Sequence, residues 1–247
     1  MRLAAHSLGA LPEIRAGDDL AELIADAGPL RDGQIVAIAH KAVSKAEGAI
    51  VDLRTMSPSP QAHELAAGHD KDPRAVQAVL DQSAEIVRAA NGVLICRTAH
   101  GFVCANAGVD TSNSADEETA ITLPRDPDAS ARAIRSRLRE LTGAVVGVLI
   151  CDSFGRAWRL GQCDVAIGCA GIAPLDDWRG RTDSQGRELR ATWLAVADAI
   201  AALADLARAK DSREPVVAIE GLERFVTDAD GPGAQALVRP PAEDLFR

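Results

Sequence analysis

Continuous aliphatic runs alternate with polar, turn-forming stretches along the chain, and four of the runs end abruptly in polar residues. They are Ile35-Val36-Ala37-Ile38 before His40-Lys41, Val93-Leu94-Ile95-Cys96 before Arg97-Thr98, Val145–Cys151 before Asp152-Ser153, and Val216-Val217-Ala218-Ile219 before Glu220. Short runs that are apolar at successive positions, rather than at every second one, predict strands buried on both faces.

Helical spacing fills the intervals. Asp18 is placed to cap a helix whose Leu20, Leu23, Ile24 and Ala27 share one side, with Gly28 as its stop. Asp72-Pro73 opens a second helix, with a stripe of Val76, Val79, Leu80, Ser83, Ile86 and Val87 that closes at Asn91-Gly92. Asp128 opens a third, with Ile134, Leu138 and Leu141 inward and Gly143 as its stop, and the longest helix is expected over Arg190–Ala209. Residues 52–72, 112–128 and 179–188 read as long loops, and Thr227–Pro241 as a Gly/Pro-rich tail segment. Strands and helices mix without a clean alternation, which predicts an α+β or irregular α/β fold with room for two lobes.

Composition narrows the function classes. A chain of 247 residues with 47% hydrophobic side chains supports a substantial core, and with only 3% aromatics that core is aliphatic. A net charge of −9 argues against a nucleic-acid binder, whose affinity rests on a basic face. Five scattered cysteines with no C-x-x-C spacing predict free thiols in a reduced, cytoplasmic protein. No apolar run approaches the roughly 18 residues of a membrane span.

The common nucleotide and hydrolase motifs are missing: there is no G-x-x-x-x-G-K-[ST], G-x-G-x-x-G after a strand, G-x-S-x-G or H-E-x-x-H. Chemistry concentrates instead at Cys151-Asp152-Ser153-Phe154-Gly155-Arg156, where a charged and a neutral oxygen follow a dry strand. Such a pair can hold a hard cation beside a phosphate, or Asp152 can simply cap the next turn. Asp110, in Ala107-Gly108-Val109-Asp110-Thr111-Ser112-Asn113, offers a second carboxylate within what otherwise reads as an Asx-rich turn. Lys41 and Lys45 share a face if a helical turn starts after the first strand, as phosphate partners or as solvated lysines. Arg156, Arg159, Arg179, Arg181, Arg187 and Arg190 suit anionic ligands, but Asp164, Asp176, Asp177, Asp183 and Glu188 lie among them and allow mutual ion pairs. Of the five histidines only His40 and His100 adjoin strand ends. Spacing alone reaches a two-carboxylate metal site near cations, suited to phosphoryl transfer or phosphate-ester hydrolysis.

The same segments resemble the coenzyme F420-0:L-glutamate ligases, also called F420 γ-glutamyl ligases, over nearly the whole chain. The likeness runs through Leu11-Pro12-Glu13-Ile14-Arg15, Gly17-Asp18-Asp19-Leu20, Val43-Ser44-Lys45-Ala46-Glu47-Gly48 and Ala107-Gly108-Val109-Asp110-x-Ser112-Asn113. It continues in Asp126-Pro127-Asp128-Ala129-Ser130, in the stretch from Asp152 to Gly168, and in Ala197-Asp198 with Ala204-Asp205-Leu206. The resemblance implies a single ligase-like domain over residues 1–247, two-lobed and α+β, assembled as an intertwined homodimer. It has no room for the flavin-binding domain that some bacterial members carry. It further implies a GTP-dependent ligase using Mg²⁺ or Mn²⁺, with K⁺ as a helper, that joins L-glutamate to coenzyme F420-0 through an acyl phosphate. GDP and phosphate would be released, and the number of glutamates added stays open.

Carried over by position, Leu11, Pro12, Glu13, Ile14, His40, Lys45, Asn113 and the stretch Arg208, Ala209, Lys210, Asp211, Ser212, Arg213, Glu214 and Pro215 would contact GTP. Asp110 and Asp152 would bind one metal ion and Ser153 a second. No residue is singled out as a general base. This sequence departs from the family pattern at His40, at Lys210, where archaeal members place a metal-binding glutamine, and at Ala209, which replaces a glycine. A metal-dependent phosphohydrolase, or a non-catalytic relative that binds a nucleotide or deazaflavin, remains an alternative.

Overall fold

A computed structural model describes residues 2–112 and 116–245. In chain order the elements are β1 (Ala4–Ser7), α1 (Leu20–Ala27), β2 (Ile35–Ala39), α2 (His40–Ala46), β3 (Ile50–Asp52), α3 (Pro60–His69), α4 (Pro73–Asp81), β4 (Ser83–Ala90) and β5 (Val93–Thr98). They continue with β6 (Val103–Ala105), β7 (Thr119–Ile121), α5 (Pro127–Thr142), β8 (Gly147–Arg156), β9 (Arg159–Ala170), β10 (Leu175–Asp177), β11 (Trp193–Ala195), α6 (Val196–Leu206) and β12 (Val216–Glu220). The expected α+β class holds.

The central sheet has the order β1-β12-β2-β8-β9, and its only parallel pair is β2 with β8. Because side chains alternate across a strand, each aliphatic run feeds two cores. Val36, Ile38, Val148 and Ile150 join Ile24 of α1 and Leu138 of α5 on one face. Ile35, Ala37, Leu149 and Cys151 join Ile200 and Ala204 of α6 on the other. A third, smaller core lies under α3, α4 and the β4-β5-β6 sheet, around Leu53, Val76, Leu94 and Cys96. The β3–β7 ribbon lies between, with Ile50 paired to Ile121.

Several boundaries differ from the sequence expectation. The stripe begun at Val76 does not stay helical: α4 ends at Asp81, and Ser83–Ala90 become a strand against β5. That stripe fits two periods at once, and pairing with Val93–Thr98 decides the second half. Val93–Cys96 is buried on one side only, since β5 forms part of a peripheral three-stranded sheet. The expected loop 52–72 contains α3, capped by Ser59 with Pro60 behind it; its alanine-rich stripe is too weakly apolar to signal a helix. The 112–128 stretch likewise supplies β7 and the start of α5. The expected helix over Arg190–Ala209 shortens to Val196–Leu206, behind a strand at Trp193–Ala195, so α5 is the longest helix described.

Caps shift by a residue or two. Asp19, not Asp18, accepts the Glu22 N–H, while Asp18 takes the Arg15 N–H. Asp126 caps α5, and Asp128 instead accepts backbone N–H groups from Cys169, Ala234 and Gln235. Leu141 is exposed, and α5 buries Arg135 instead. That guanidinium donates to the carbonyls of Val146, Thr227 and Asp228 and to Asp230, which fastens the tail segment to the sheet. Among the described residues no helix is long and apolar enough to cross a membrane.

Candidate functional site

The parallel pairing of β2 with β8 fixes the centre of the site. Its register sets Ile38 beside Ile150 and Ala39 beside Cys151, so the next residues, His40 and Asp152, meet where the ladder ends. There β2 turns into α2, while β8 continues in a hairpin with β9. Asp152 is therefore inside a strand rather than at its terminus, a correction to the sequence reading. Its Oδ1 lies 3.2 Å from His40 Nε2 and accepts the Ser153 N–H at 2.8 Å. The His40 ring is 3% exposed, and its Nδ1 lies 3.3 Å from Ser44 Oγ.

The following residue of α2 holds the second carboxylate. Lys41 Nζ donates to Asp110 Oδ2 at 2.6 Å and to Ser112 Oγ at 2.9 Å, and the Ser112 N–H donates to Asp110 Oδ1 at 2.6 Å. Burial pulls the Asp110 carboxyl upward, but the bonds from Lys41 and Ser112 outweigh it and hold the group below its ordinary value. Asp110 is delivered by reciprocal backbone bonds to Ile121 at the edge of the β3–β7 ribbon, just after a left-handed turn. Gly108 is required in that turn: its φ is +73°, and a Cβ there would lie 2.6 Å from the Leu123 side chain.

Consecutive residues His40 and Lys41 thus gather the two expected metal-ligand carboxylates at one end of the sheet. Among the described residues no three His, Cys, Asp or Glu side chains form a closed metal cage. The donors present nevertheless fit one hard cation, because Mg²⁺-type ions use one or two carboxylates and complete their shell with water and phosphate oxygens. Both contacts to Asp152 fall on Oδ1, which leaves Oδ2 for such an ion, and Asp110 is partly exposed.

Ser153 belongs to a different environment. Neighbouring side chains on β8 point to opposite faces: Phe154 packs with the α1–α5 core and Cys151 with the α6 core, so Asp152 faces the first side and Ser153 the second. On that second side the β8–β9 register sets Ser153 opposite Asp164, a carboxylate 1% exposed. Ser153 Oγ donates to Asp164 Oδ1 at 2.6 Å, and Arg208 pairs with Asp164 Oδ2. Lys210 Nζ reaches Ser153 Oγ at 2.7 Å, Asp164 Oδ1 at 3.3 Å and Asp205 Oδ1 at 2.6 Å. Partial burial pulls the Lys210 ammonium downward, but Asp205 and Asp164 outweigh it and raise its pKa.

The segments expected to contact GTP also converge. Lys45, one helical turn after Lys41, donates to Glu13 Oε1 at 2.6 Å and holds that carboxyl below its ordinary value. The Leu11 N–H donates to the Arg213 carbonyl at 3.3 Å, which joins the Leu11–Ile14 loop to the segment after α6. Within that segment Arg208 donates to the Pro215 carbonyl at 3.0 Å, Ser212 to the Ala209 carbonyl at 3.0 Å, and the Ala39 N–H to Pro215 at 2.8 Å. Residues 208–215 therefore run from Ser153 to the Leu11 loop and border the start of α2. Asn113 lies outside the described residues.

Comparison with known proteins decides the family. The family model described as F420-0:Gamma-glutamyl ligase matches residues 9–221. The chain belongs to this family. Among similar proteins, the coenzyme F420:L-glutamate ligase of Methanopyrus kandleri is 47% identical over 237 residues, covering 95% of this chain and 94% of the relative. The enzymes of that name from Methanothermobacter thermautotrophicus and Methanocaldococcus jannaschii are each 44% identical, over 96% of this chain and 96% and 94% of their own lengths.

For this member of the F420-0:gamma-glutamyl ligase family, the structure adds residues that sequence reasoning left unassigned. Asp164 opens a strand-like aliphatic run, an unusual place for a charge, and that position was its available signal. Asp205 carries no such signal, because its contact with Lys210 depends on where the chain returns after α6. Lys41 shares the helical face with Lys45, as the spacing allowed. The arginine-rich stretch resolves partly into ion pairs, Arg179 with Asp177, Arg181 with Asp176 and Arg190 with Glu188. His100 stands apart, near the carbonyls of Pro124 and Arg125.

Proposed function

We propose that this chain joins L-glutamate to coenzyme F420-0, driven by GTP and a divalent ion, as a two-lobed homodimer of single-domain subunits. The observation that supports this most is the meeting of Asp110 and Asp152 on His40 and Lys41, beside the Leu11 loop and the 208–215 segment. The activity for which the relatives are named supports the substrate assignment.

A carboxylate does not condense with an amine near neutral pH, because an oxide-like oxygen is a very poor leaving group. In the proposed route the substrate carboxylate takes the γ-phosphoryl group of GTP, giving an acyl phosphate and GDP. The glutamate amine then attacks the acyl carbon and phosphate departs, so one amide bond replaces one phosphoanhydride. When bound at Asp110 and Asp152, Mg²⁺ or Mn²⁺ would supply positive charge to the phosphate oxygens, and K⁺ belongs to the same proposal as a helper.

The chain's own residues position and screen. His40 holds Asp152 Oδ1 from a buried site, and Ser44 holds His40. Lys41 and Lys45 place two ammonium groups along one helix face, each free to exchange its carboxylate partner for a phosphate oxygen. The Leu11–Ile14 loop and residues 208–215 would frame the nucleotide through backbone groups. These contributions are positioning and electrostatics, the terms that dominate phosphoryl transfer.

Incubating the purified protein with GTP, Mn²⁺, coenzyme F420-0 and glutamate tests the proposal by mass spectrometry. The expected product is heavier by one glutamyl residue. Phosphate release that is independent of glutamate, without that product, would instead establish a phosphohydrolase, and no turnover at all would establish a non-catalytic binder.

A further inference from the structure

Ser153, the expected holder of a second metal ion, is already engaged by a cation that belongs to the chain. Lys210 Nζ lies 2.7 Å from Ser153 Oγ, 2.6 Å from Asp205 Oδ1 and 3.3 Å from Asp164 Oδ1. We propose that Lys210 is a built-in counter-cation for this oxygen cluster, so that the chain takes up a divalent ion at Asp110 and Asp152 but none at Ser153. The inference rests on the ligase reading in taking Asp110 and Asp152 as the divalent site and Ser153 as the position in question.

Charge and geometry carry it. Asp164 and Asp205 bring two negative charges, and Arg208 and Lys210 bring two positive ones, so the cluster is neutral without an added ion. A divalent cation would leave it with a double positive excess, whereas two carboxylates with one lysine, as at Asp110, Asp152 and Lys41, keep a negative excess. An ammonium has no lone pair with which to coordinate, so it cannot share the site as a ligand. Strand alternation sets the side chains of Asp152 and Ser153 on opposite faces of β8, so the two oxygen sets have different neighbours. Replacing Lys210 by a neutral amide leaves the cluster with a net negative charge and an additional oxygen donor, the conditions a hard cation requires.

Equilibrium Mn²⁺ binding, read by electron paramagnetic resonance of the free ion with GTP present, tests this without relying on turnover. Lys210→Gln is expected to bind one more Mn²⁺ per chain than the native protein, and Ser153→Ala to leave the native count unchanged. An identical count in Lys210→Gln and native protein, or loss of one ion in Ser153→Ala, overturns the proposal. Should Lys210→Gln fail to fold by circular dichroism, the Ser153→Ala count decides alone. A native protein that binds no Mn²⁺ sinks the Asp110–Asp152 metal reading, while the difference between native and variant counts still decides the role of Lys210.

Discussion

His40 and Asp152 face each other one position beyond the last paired residues of the β2–β8 ladder, with Nε2 of one 3.2 Å from Oδ1 of the other. The contact follows from strand register, so the fold itself aims the carboxylate. A partner that orients a metal-binding carboxylate is commonly worth ~10–100-fold in affinity or activity. His40→Ala is therefore expected to weaken Mn²⁺ binding and lower ligation by about that factor, measured by titration and by product formation. Asp152→Ala removes the carboxylate itself and is expected to cost at least about 100-fold in kcat. Equal activity of both variants with the native protein would refute the assignment.

Asp198 predicts a pH effect on stability. Burial near β9 raises its pKa above the ordinary value, outweighing the Ala166 N–H that donates to it. A raised folded-state pKa stabilises the fold while the group stays protonated, below its unfolded value, and that contribution disappears as pH rises through the folded value. Asp198→Asn keeps the acceptor oxygen without the charge. It is expected to raise the Tm at neutral pH, with the gain shrinking as the pH drops toward the ordinary carboxylate range. A gain that grows on acidification would contradict this account.

Arg135 joins the tail to the sheet through four acceptors, Val146 before β8 and Thr227, Asp228 and Asp230 in the tail. Arg135→Met leaves the buried Val146 carbonyl and the part-buried Thr227 and Asp228 carbonyls without this donor, and a loss on the order of 3 kcal/mol is expected from denaturant melts. Limited proteolysis of this variant should cut first within residues 227–233, where those bonds end.

All five cysteines are free, as their spacing predicted, and four are buried. Burial pushes the Cys104, Cys151 and Cys169 thiols up to about 12. Only Cys163 is partly accessible. Thiol labelling of the native protein near neutral pH is expected to give one prompt equivalent, and Cys163→Ser to abolish it.

The legible parts of the sequence were those whose meaning is local. The aliphatic runs of β2, β8 and β12 declare strands buried on both faces, and Gly28 and Gly143 mark where α1 and α5 stop. β4 was hidden because Ile86 and Val87 continue a helical spacing, and only the partner strand β5 reveals the extended form. The Asp110 and Asp152 pair was visible as motifs, but their meeting through His40 and Lys41 needed the parallel register. The contacts of Ser153 were not legible, because its neighbours in sequence say nothing of Asp164 across the hairpin or of Lys210 after α6. Pairings between distant segments, rather than propensity, made that part of the site.

The two central carboxylates ride on different supports. Asp152 is fixed to the main sheet, whereas Asp110 hangs from the β3–β7 ribbon, and Lys41 bridges the gap. A wedge driven between ribbon and sheet would part the pair while each support kept its own hydrogen bonds. Under the proposed function, catalytic competence is thus a matter of how two sound pieces are docked, to be lost well before either piece melts.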